Sequence, residues 1–390
     1  MRIERSMRKQ RNTKEMLARP NLNRQLRVVV YTDAAGVGGA EISLGHLVAS
    51  VSDDIEIIVV GVSELVVNAI ASRRSQAVAK ILPSKGAGSV IAHLAALHQL
   101  HPDVVHCNLC TPWACVTGLV VALTLPHARV VRVDQLPLRT TDFLTLWRTR
   151  ALSLRVDAHV AVGEASARRM EDFYALGRGS VLSIPNCVPD IIDVQPLPTR
   201  PNGQIVVGSV GRLDRMKAHD VLLKAIAQVE GVQVVILGEG AQRLELEKLA
   251  YELGVSDRVS LLGWVDNPRT YLSEFDVIAL PSRSEGFPLA IVEAMLAARA
   301  VVATRVGSVA EAVIDGETGF LVEKDDIAGL AVALRRLRDD PALRIQLGKR
   351  GREVAAKFTV EQMANSYLSL WYQIVSARQA PRLKIPRPRD

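Results

Sequence analysis

The chain has 390 residues, is 48% hydrophobic, and carries 26 glycines, 18 prolines and four cysteines; this balance excludes intrinsic disorder and collagen, coiled-coil or disulfide-scaffold architectures. It is too long for one ordinary core, so two domains are expected. The net charge of +7 sits at the ends: residues 1–27 hold nine basic residues against two acids, 378–390 hold five against one, and the body between them is weakly acidic.

A nucleic-acid enzyme is expected to keep its basic residues on the folded body, so no nucleic-acid partner is predicted. The basic ends, tails at 1–25 and 378–390, suit either peripheral contact with an anionic membrane or plain solvation. The first 26 residues lack the apolar core of a signal peptide. Leu26–Thr32, LRVVVYT, reads as a strand buried on both faces. It runs into the loop DAAGVGG, residues 33–39, and then a helix over 40–52. Further strands are predicted at Ile55–Gly61, 104–106, 130–133 and 158–162, with helices between them, the pattern of parallel βαβ units. Residues 104–128 contain no Asp, Glu, Lys or Arg. Their dense apolar part, 116–125, is too short to span a bilayer, and they read as a strand end followed by a buried helix.

The three prolines of DVQPLPTRPNG, residues 193–203, mark a linker. The pattern then restarts with strands at Ile205–Val210, Val232–Leu237, 259–262, Val277–Leu280 and 300–303, and a helix over 221–229. The predicted organisation is a first α/β domain over 26–192, a second over 204–359, and an amphipathic helix over 360–377 that returns to the first domain. Ligands of such sheets sit outside the carboxyl ends of the strands, so with two sheets facing each other the expected site is the cleft between domains. The cysteines are Cys107, Cys110, Cys115 and Cys187. The C-x-x-C at 107–110, next to His106, lacks the context of a zinc or redox site, and buried thiols in a reducing cytoplasm are expected instead.

Two segments carry candidate chemistry. In LPSRSEGFPLAIVEAMLAARAVV, residues 280–302, Glu285 falls in a strand-to-helix loop and Glu293 one to two turns into the following helix. A helix start favours phosphate, and carboxylates accept hydrogen bonds from paired sugar or ribose hydroxyls. Glu293 is embedded in AIVEAML, and a carboxylate buried there needs a partner. In VGSVGRLDRMKAH, residues 207–219, Arg212 and Lys217 follow a strand end, where two cations neutralise a diphosphate.

These residues carry a resemblance. GRLDRMKAHDVLLKA, ILGEG, LLGWV and the run from LPSRSEGFP to TGFLV, together spanning about 205–322, resemble the retaining glycosyltransferases of family 4, whose E-x7-E motif matches Glu285 and Glu293. Weaker matches are GGAE at Gly38 and IPNCVP at 184–189. The resemblance implies the GT-B fold, two Rossmann-like α/β domains with parallel sheets facing across a cleft. It implies that Arg212 and Lys217 bind the donor diphosphate and stabilise the leaving group, that Glu285 contacts the transferred sugar, and that Glu293 holds the ribose hydroxyls. Backbone groups at Phe287, Leu289 and Ala290 would meet the sugar or phosphate, and Gly38 and Gly39 would let the backbone approach the donor.

The departures lie mostly in the first half. Asp134 stands where the family often has His, and with His106 it is the candidate group on the acceptor side. Gly163 replaces a frequent Ser, and Cys187 and Pro189 replace the usual Gly and Asp. The implied reaction moves a sugar from a nucleotide-diphosphate sugar to a carbohydrate or lipid-linked acceptor with retention, in surface polysaccharide or glycolipid synthesis, in the cytoplasm or at the inner membrane face. No cofactor and no metal are expected. A nucleotide-sugar epimerase or isomerase of similar fold, and a non-catalytic nucleotide-sugar-binding protein, are the alternatives. A dinucleotide oxidoreductase is disfavoured because GVGG at 36–39 does not complete G-x-G-x-x-G: the sixth position is Glu41.

Overall fold

The computed structural model describes residues 24–377 except Asn202. The basic stretches 1–23 and 378–390, on which the expectation of membrane contact rests, lie outside the described residues.

Thirteen strands form two sheets among the described residues, and every strand ladder is parallel. The first sheet contains β1 (Leu26–Thr32), β2 (Ile55–Gly61), β3 (Val78–Ile81), β4 (Val104–Leu109), β5 (Arg129–Asp134), β6 (Ala158–Ala161) and β7 (Val181–Ser183), in the order β3-β2-β1-β4-β5-β6-β7. The second contains β8 (Ile205–Val210), β9 (Val232–Leu237), β10 (Val259–Gly263), β11 (Val277–Leu280), β12 (Ala300–Thr304) and β13 (Gly319–Val322), in the order β10-β9-β8-β11-β12-β13. Both sheets are doubly wound and Rossmann-like. Strand order reverses between β1 and β4 in one and between β8 and β11 in the other, and such a reversal opens a crevice at the carboxyl ends of the two strands beside it.

Most strands read from apolar runs are buried on both faces: in β1, β2, β4, β8, β11 and β12 nearly every residue is buried, whereas β10 alternates. Each Val or Ile so buried contributes about 1.5–3 kcal/mol. Sequence patterning missed β3, β7 and β13. All three are short, β3 and β7 are half or more solvated, and the apolar run of β13 is only residues 320–322. The region 104–128 folds as β4 and then the helix Val116–Ala122, and no helix among the described residues is long and apolar enough to cross a membrane.

The chain divides into two units. Among the described residues, one holds 24–161, Ala167–Ile184 and 360–377; the other holds Val162–Ser166 and Pro185–Thr359. Within the first unit, the helix Val360–Ser376 buries Met363, Tyr367, Leu370 and Trp371. Within the second, the proline-containing stretch 193–203 is held down by two arginines. Arg299, buried, donates to the Leu272 carbonyl at 2.8 Å and to the Gln195 carbonyl at 2.9 Å. Arg200 pairs with Asp276 at 2.6 Å, and Asp276 also accepts from the Val206 backbone N–H at 2.8 Å, fixing the entry into β8. The tie is to side chains far away in sequence, so composition alone showed only a linker.

Gly208, in the middle of β8, pairs with Ile278 of β11. A Cβ there would fall 2.3 Å from the ring of Phe275, which is itself fully buried. Gly208→Ala is therefore expected to overpack the strand pair and lower stability by about 1–3 kcal/mol, read as a lowered urea midpoint at unchanged slope. An unaltered midpoint would mean that the Phe275 ring is free to yield.

Candidate functional site

The loops after β8 and β11 build the crevice of the second unit. After β8 the chain makes a tight loop rather than entering its helix at once. Gly211 N–H donates to the Leu237 carbonyl and Leu213 N–H to the Glu239 carbonyl. Asp214 Oδ1 accepts from the backbone N–H groups of Met216 and Lys217 at 2.9 and 3.0 Å. That Asx-type turn aims the Lys217 side chain back along the loop, its stem lying over Gly211, where a Cβ would meet it at 3.2 Å.

After β11, Arg283 N–H donates to the Met216 carbonyl at 2.7 Å, stitching the two loops together. The Arg283 guanidinium holds Asp220 with both terminal nitrogens, at 3.0 and 2.8 Å, and Asp325 at 2.6 Å. Sequence reading passed over Arg283, and its only signal was its place in the E-x7-E segment. Gly307 closes the loop from the other side. Its φ of +54° suits glycine, and a Cβ on it would sit 1.8 Å from the Glu285 carbonyl oxygen. Next to it, Ser308 N–H donates to the Gly286 carbonyl at 2.9 Å.

The result is an ion pair between Lys217 Nζ and Glu285 Oε1 at 2.6 Å, joining residues 68 apart in sequence. Glu285 is almost fully buried. Arg212 extends into solvent, its side chain 66% exposed, and among the described residues it pairs with Asp214 at 3.0 Å. The helix Leu289–Leu296 starts just beyond, with Phe287 and Leu289 buried and Ala290 half-buried, and the first backbone N–H groups of a helix have no partner within it. The Phe287 ring rests on Phe358, centroids 5.1 Å apart, and the Phe287 carbonyl accepts from Asn186 at 3.5 Å. The hydroxyls of Ser282 and Ser284 are buried without a partner among the described residues. Buried hydroxyls in that condition are uncommon.

Glu293 lies on this helix, as its sequence position indicated. Burial pushes its carboxyl up to about 7, against the pull of the Arg269 guanidinium, whose Nε stands 3.9 Å from Oε1. Arg269 is itself anchored on the Pro189 carbonyl at 2.6 Å, so the IPNCVP segment helps position the cation beside Glu293. His219, also unread in the sequence, is buried below the loop and kept neutral: burial, and then Lys217, lower it to about 4.

The candidates of the first unit are placed differently. Gly38 and Gly39 open the helix Gly39–Ser50, where Gly38 N–H donates to Glu41 Oε2 at 3.0 Å and a Cβ on Gly39 would meet nothing within 4 Å. Asp134 is fully buried and its oxygens are already engaged. Arg132 reaches them at 2.7 and 3.1 Å, and the Tyr174 hydroxyl donates at 3.1 Å. This is the geometry of an internal ion pair, and the expectation that Asp134 faces an acceptor is not supported by it. His106 is likewise enclosed, 5.0 Å from the Tyr367 ring and 5.8 Å from that of Trp371, and burial lowers it to about 3. A strand-end polar residue in the sequence does not reveal whether a helix 260 residues later covers it.

One departure from the resembled pattern acquires a physical reason. A Cβ on Gly163 would fall 2.2 Å from the Ser308 hydroxyl, and Glu311 caps the neighbouring N–H groups of Glu164 and Ala165 at 2.9 and 2.8 Å. Ser308 thus fills the space that a side chain at 163 would take. The four cysteines are free, and burial raises Cys107 to about 12. Among the described residues no three His, Cys, Asp or Glu side chains are grouped to hold a metal ion.

The Glu293 shift has a signed consequence. Its folded-state value lies above the unfolded one, so the stability linked to its proton is fully present below about 4.5 and is lost as pH rises through about 7. The loss is on the order of 3 kcal/mol. Glu293→Gln is expected to abolish this slope, so that the variant gains stability relative to the wild type between pH 5 and 8 in thermal unfolding; parallel pH profiles would contradict it.

Residues 194–354 match the family model of group 1 glycosyl transferases. The lipopolysaccharide core biosynthesis glycosyltransferase LpsE of Rhizobium meliloti is 37% identical over 166 residues, 42% of this chain and 49% of that protein. A D-inositol 3-phosphate glycosyltransferase of Mycolicibacterium smegmatis is 36% identical over 196 residues, 48% of this chain and 44% of that protein. The chain thus spans about half the length of the curated relatives it matches. Among solved structures, Anabaena HepE in complex with UDP-glucose aligns over 92% of this chain and all of its own, at 21% identity and a TM-score of 0.77. The fold of two Rossmann-like, parallel-sheet units is therefore shared with GT-B glycosyltransferases, and the second unit carries a stretch similar to group 1 enzymes.

Proposed function

We propose that the chain is a glycosyltransferase that moves a sugar from a nucleotide-diphosphate sugar to a carbohydrate or lipid-linked acceptor, with retention at the anomeric carbon, in lipopolysaccharide core or surface polysaccharide synthesis. The observation that carries this reading is the Lys217–Glu285 pair at the carboxyl ends of β8 and β11, with Arg212 exposed beside it. An ammonium has three donors, so Lys217 can keep Glu285 and still offer hydrogen bonds to a phosphate oxygen. Arg212, held by one surface carboxylate, exchanges it for a diphosphate at small cost, because exposed ion pairs contribute little. The helix start at Leu289 adds its partial positive charge.

In this reading the anomeric C–O bond breaks with its electron pair moving to the diphosphate, and the acceptor hydroxyl oxygen bonds to the same face of the sugar as its proton passes to the departing phosphate oxygen. Charge grows on the departing phosphate oxygen, where preorganised cations have most effect. Glu285 takes the sugar hydroxyls and Glu293 the ribose hydroxyls. The cations would perform the neutralisation that a divalent ion performs elsewhere, so activity is expected to persist in chelator. The matched relatives support the acceptor class, since one is named for lipopolysaccharide core synthesis. HepE, with UDP-glucose bound, supports a nucleotide-sugar donor.

Lys217→Ala is expected to lower turnover by roughly 10²–10³-fold, the scale of losing one preorganised donor, and also to lower stability, because Glu285 is left buried without its cation. Glu293→Ala is expected to weaken nucleoside-diphosphate binding in calorimetry more than Glu285→Ala does, while Glu285→Ala chiefly damages transfer. Small and equal effects of the two would refute the assignment. Nucleotide release that needs no acceptor, together with conversion of the donor sugar, would point to the epimerase reading instead.

A further inference from the structure

The helix Phe143–Ser153, FLTLWRTRALS, exposes large apolar side chains while it buries hydroxyls. Its protein side buries Thr149 and Ser153. The Ser153 hydroxyl accepts from Arg132 Nη1 at 3.0 Å and donates to the Thr149 carbonyl at 2.7 Å. Arg150 turns inward as well, its Nε donating to the Phe173 carbonyl at 3.1 Å. Leu152 packs against the apolar core and Leu146 is half-buried, but Phe143, Leu144 and, just past the helix end, Leu154 are each 73% exposed and Trp147 is 64% exposed.

At 100° per residue, Phe143, Trp147 and Leu154 fall on one stripe, with Leu144, Arg148 and Arg155 on the stripe beside it. Arg148 and Arg155 are exposed, as is Arg139 just before the helix. Between Arg139 and Arg155 the only acid is Asp142, and its carboxylate caps the helix by accepting from Thr145 N–H at 2.7 Å. Single exposed apolar residues are ordinary, but three on adjacent stripes of one helix and a fourth at its end make a patch with a purpose.

The fringe of arginines decides the occupant. A second copy docking symmetrically would bring arginine against arginine. An anionic lipid layer instead supplies phosphates to Arg139, Arg148 and Arg155 and an apolar boundary to the rings, the place where Trp is favoured. We propose that the helix Phe143–Ser153 lies on an anionic membrane surface, with Phe143, Trp147 and Leu154 entering the acyl boundary. The inference does not depend on the glycosyl-transfer reading, and it places membrane contact on the folded body rather than on the basic ends.

The test uses the full chain and vesicles of phosphatidylglycerol and phosphatidylcholine, with phosphatidylcholine alone as the reference. Sedimentation is expected with the anionic vesicles only, weakening as salt is raised. The double variant F143S/W147S is expected to lose at least about tenfold in partitioning. Removing either Arg148 or Arg155 is expected to cost about fivefold. Lipids brominated in the acyl chain are expected to quench wild-type fluorescence more than that of Trp147→Phe. This readout needs no disruptive change, so it decides the matter even if the double variant unfolds. Full binding by F143S/W147S, no sedimentation of the wild type, no quenching at Trp147, or a dimer in solution that F143S/W147S dissolves would each overturn the proposal. Nucleoside-diphosphate binding is expected to be the same in F143S/W147S, so a failure here is distinct from a failure of the donor site.

Discussion

One ion pair organises the second unit. Lys217 and Glu285 meet at 2.6 Å across the place where strand order reverses. A nearly buried carboxylate without a cation there would carry a large desolvation cost. The pair, together with the backbone bond from Arg283 to Met216, makes the loops after β8 and β11 one object. Everything assigned to the donor hangs from that object: Arg212 at its exposed end, the start of the helix Leu289–Leu296, and Glu293 farther along that helix.

The geometry around Glu285 is enforced by backbone rather than by side chains. Gly307 passes so close to the Glu285 carbonyl that no side chain fits, and Ser308 both holds Gly286 and fills the hollow at Gly163. Glu293, in contrast, is loosely partnered. Its nearest cation is 3.9 Å away and burial already favours its protonated form. A buried carboxyl with a perturbed value and a distant cation marks a candidate functional position, as the proposed role of Glu293 requires.

The first unit uses the same sheet architecture differently. Its strand-end polar groups are absorbed internally, Asp134 by Arg132 and Tyr174, His106 by the aromatic rings of the helix Val360–Ser376. Its unusual chemistry lies on the outside instead, where a helix buries hydroxyls and exposes rings. The Arg132 network accounts for the buried hydroxyl: Arg132 needs acceptors, and Ser153 on that helix is one of them.

The amino-acid sequence by itself determined the parallel α/β class, most of the strands buried on both faces, and the residue types at the proposed donor site, because continuous β-branched runs and the spacing of Glu285 and Glu293 are local properties of the chain. It also showed which loops succeed which strands. Tertiary structure alone decided that Lys217 closes on Glu285, that Arg269 stands beside Glu293, that Asp134 and His106 are enclosed, and that Trp147 faces water. Each of these depends on which residues from distant parts of the chain arrive at the same point, and burial and pairing are set by that arrival and not by any neighbour in sequence.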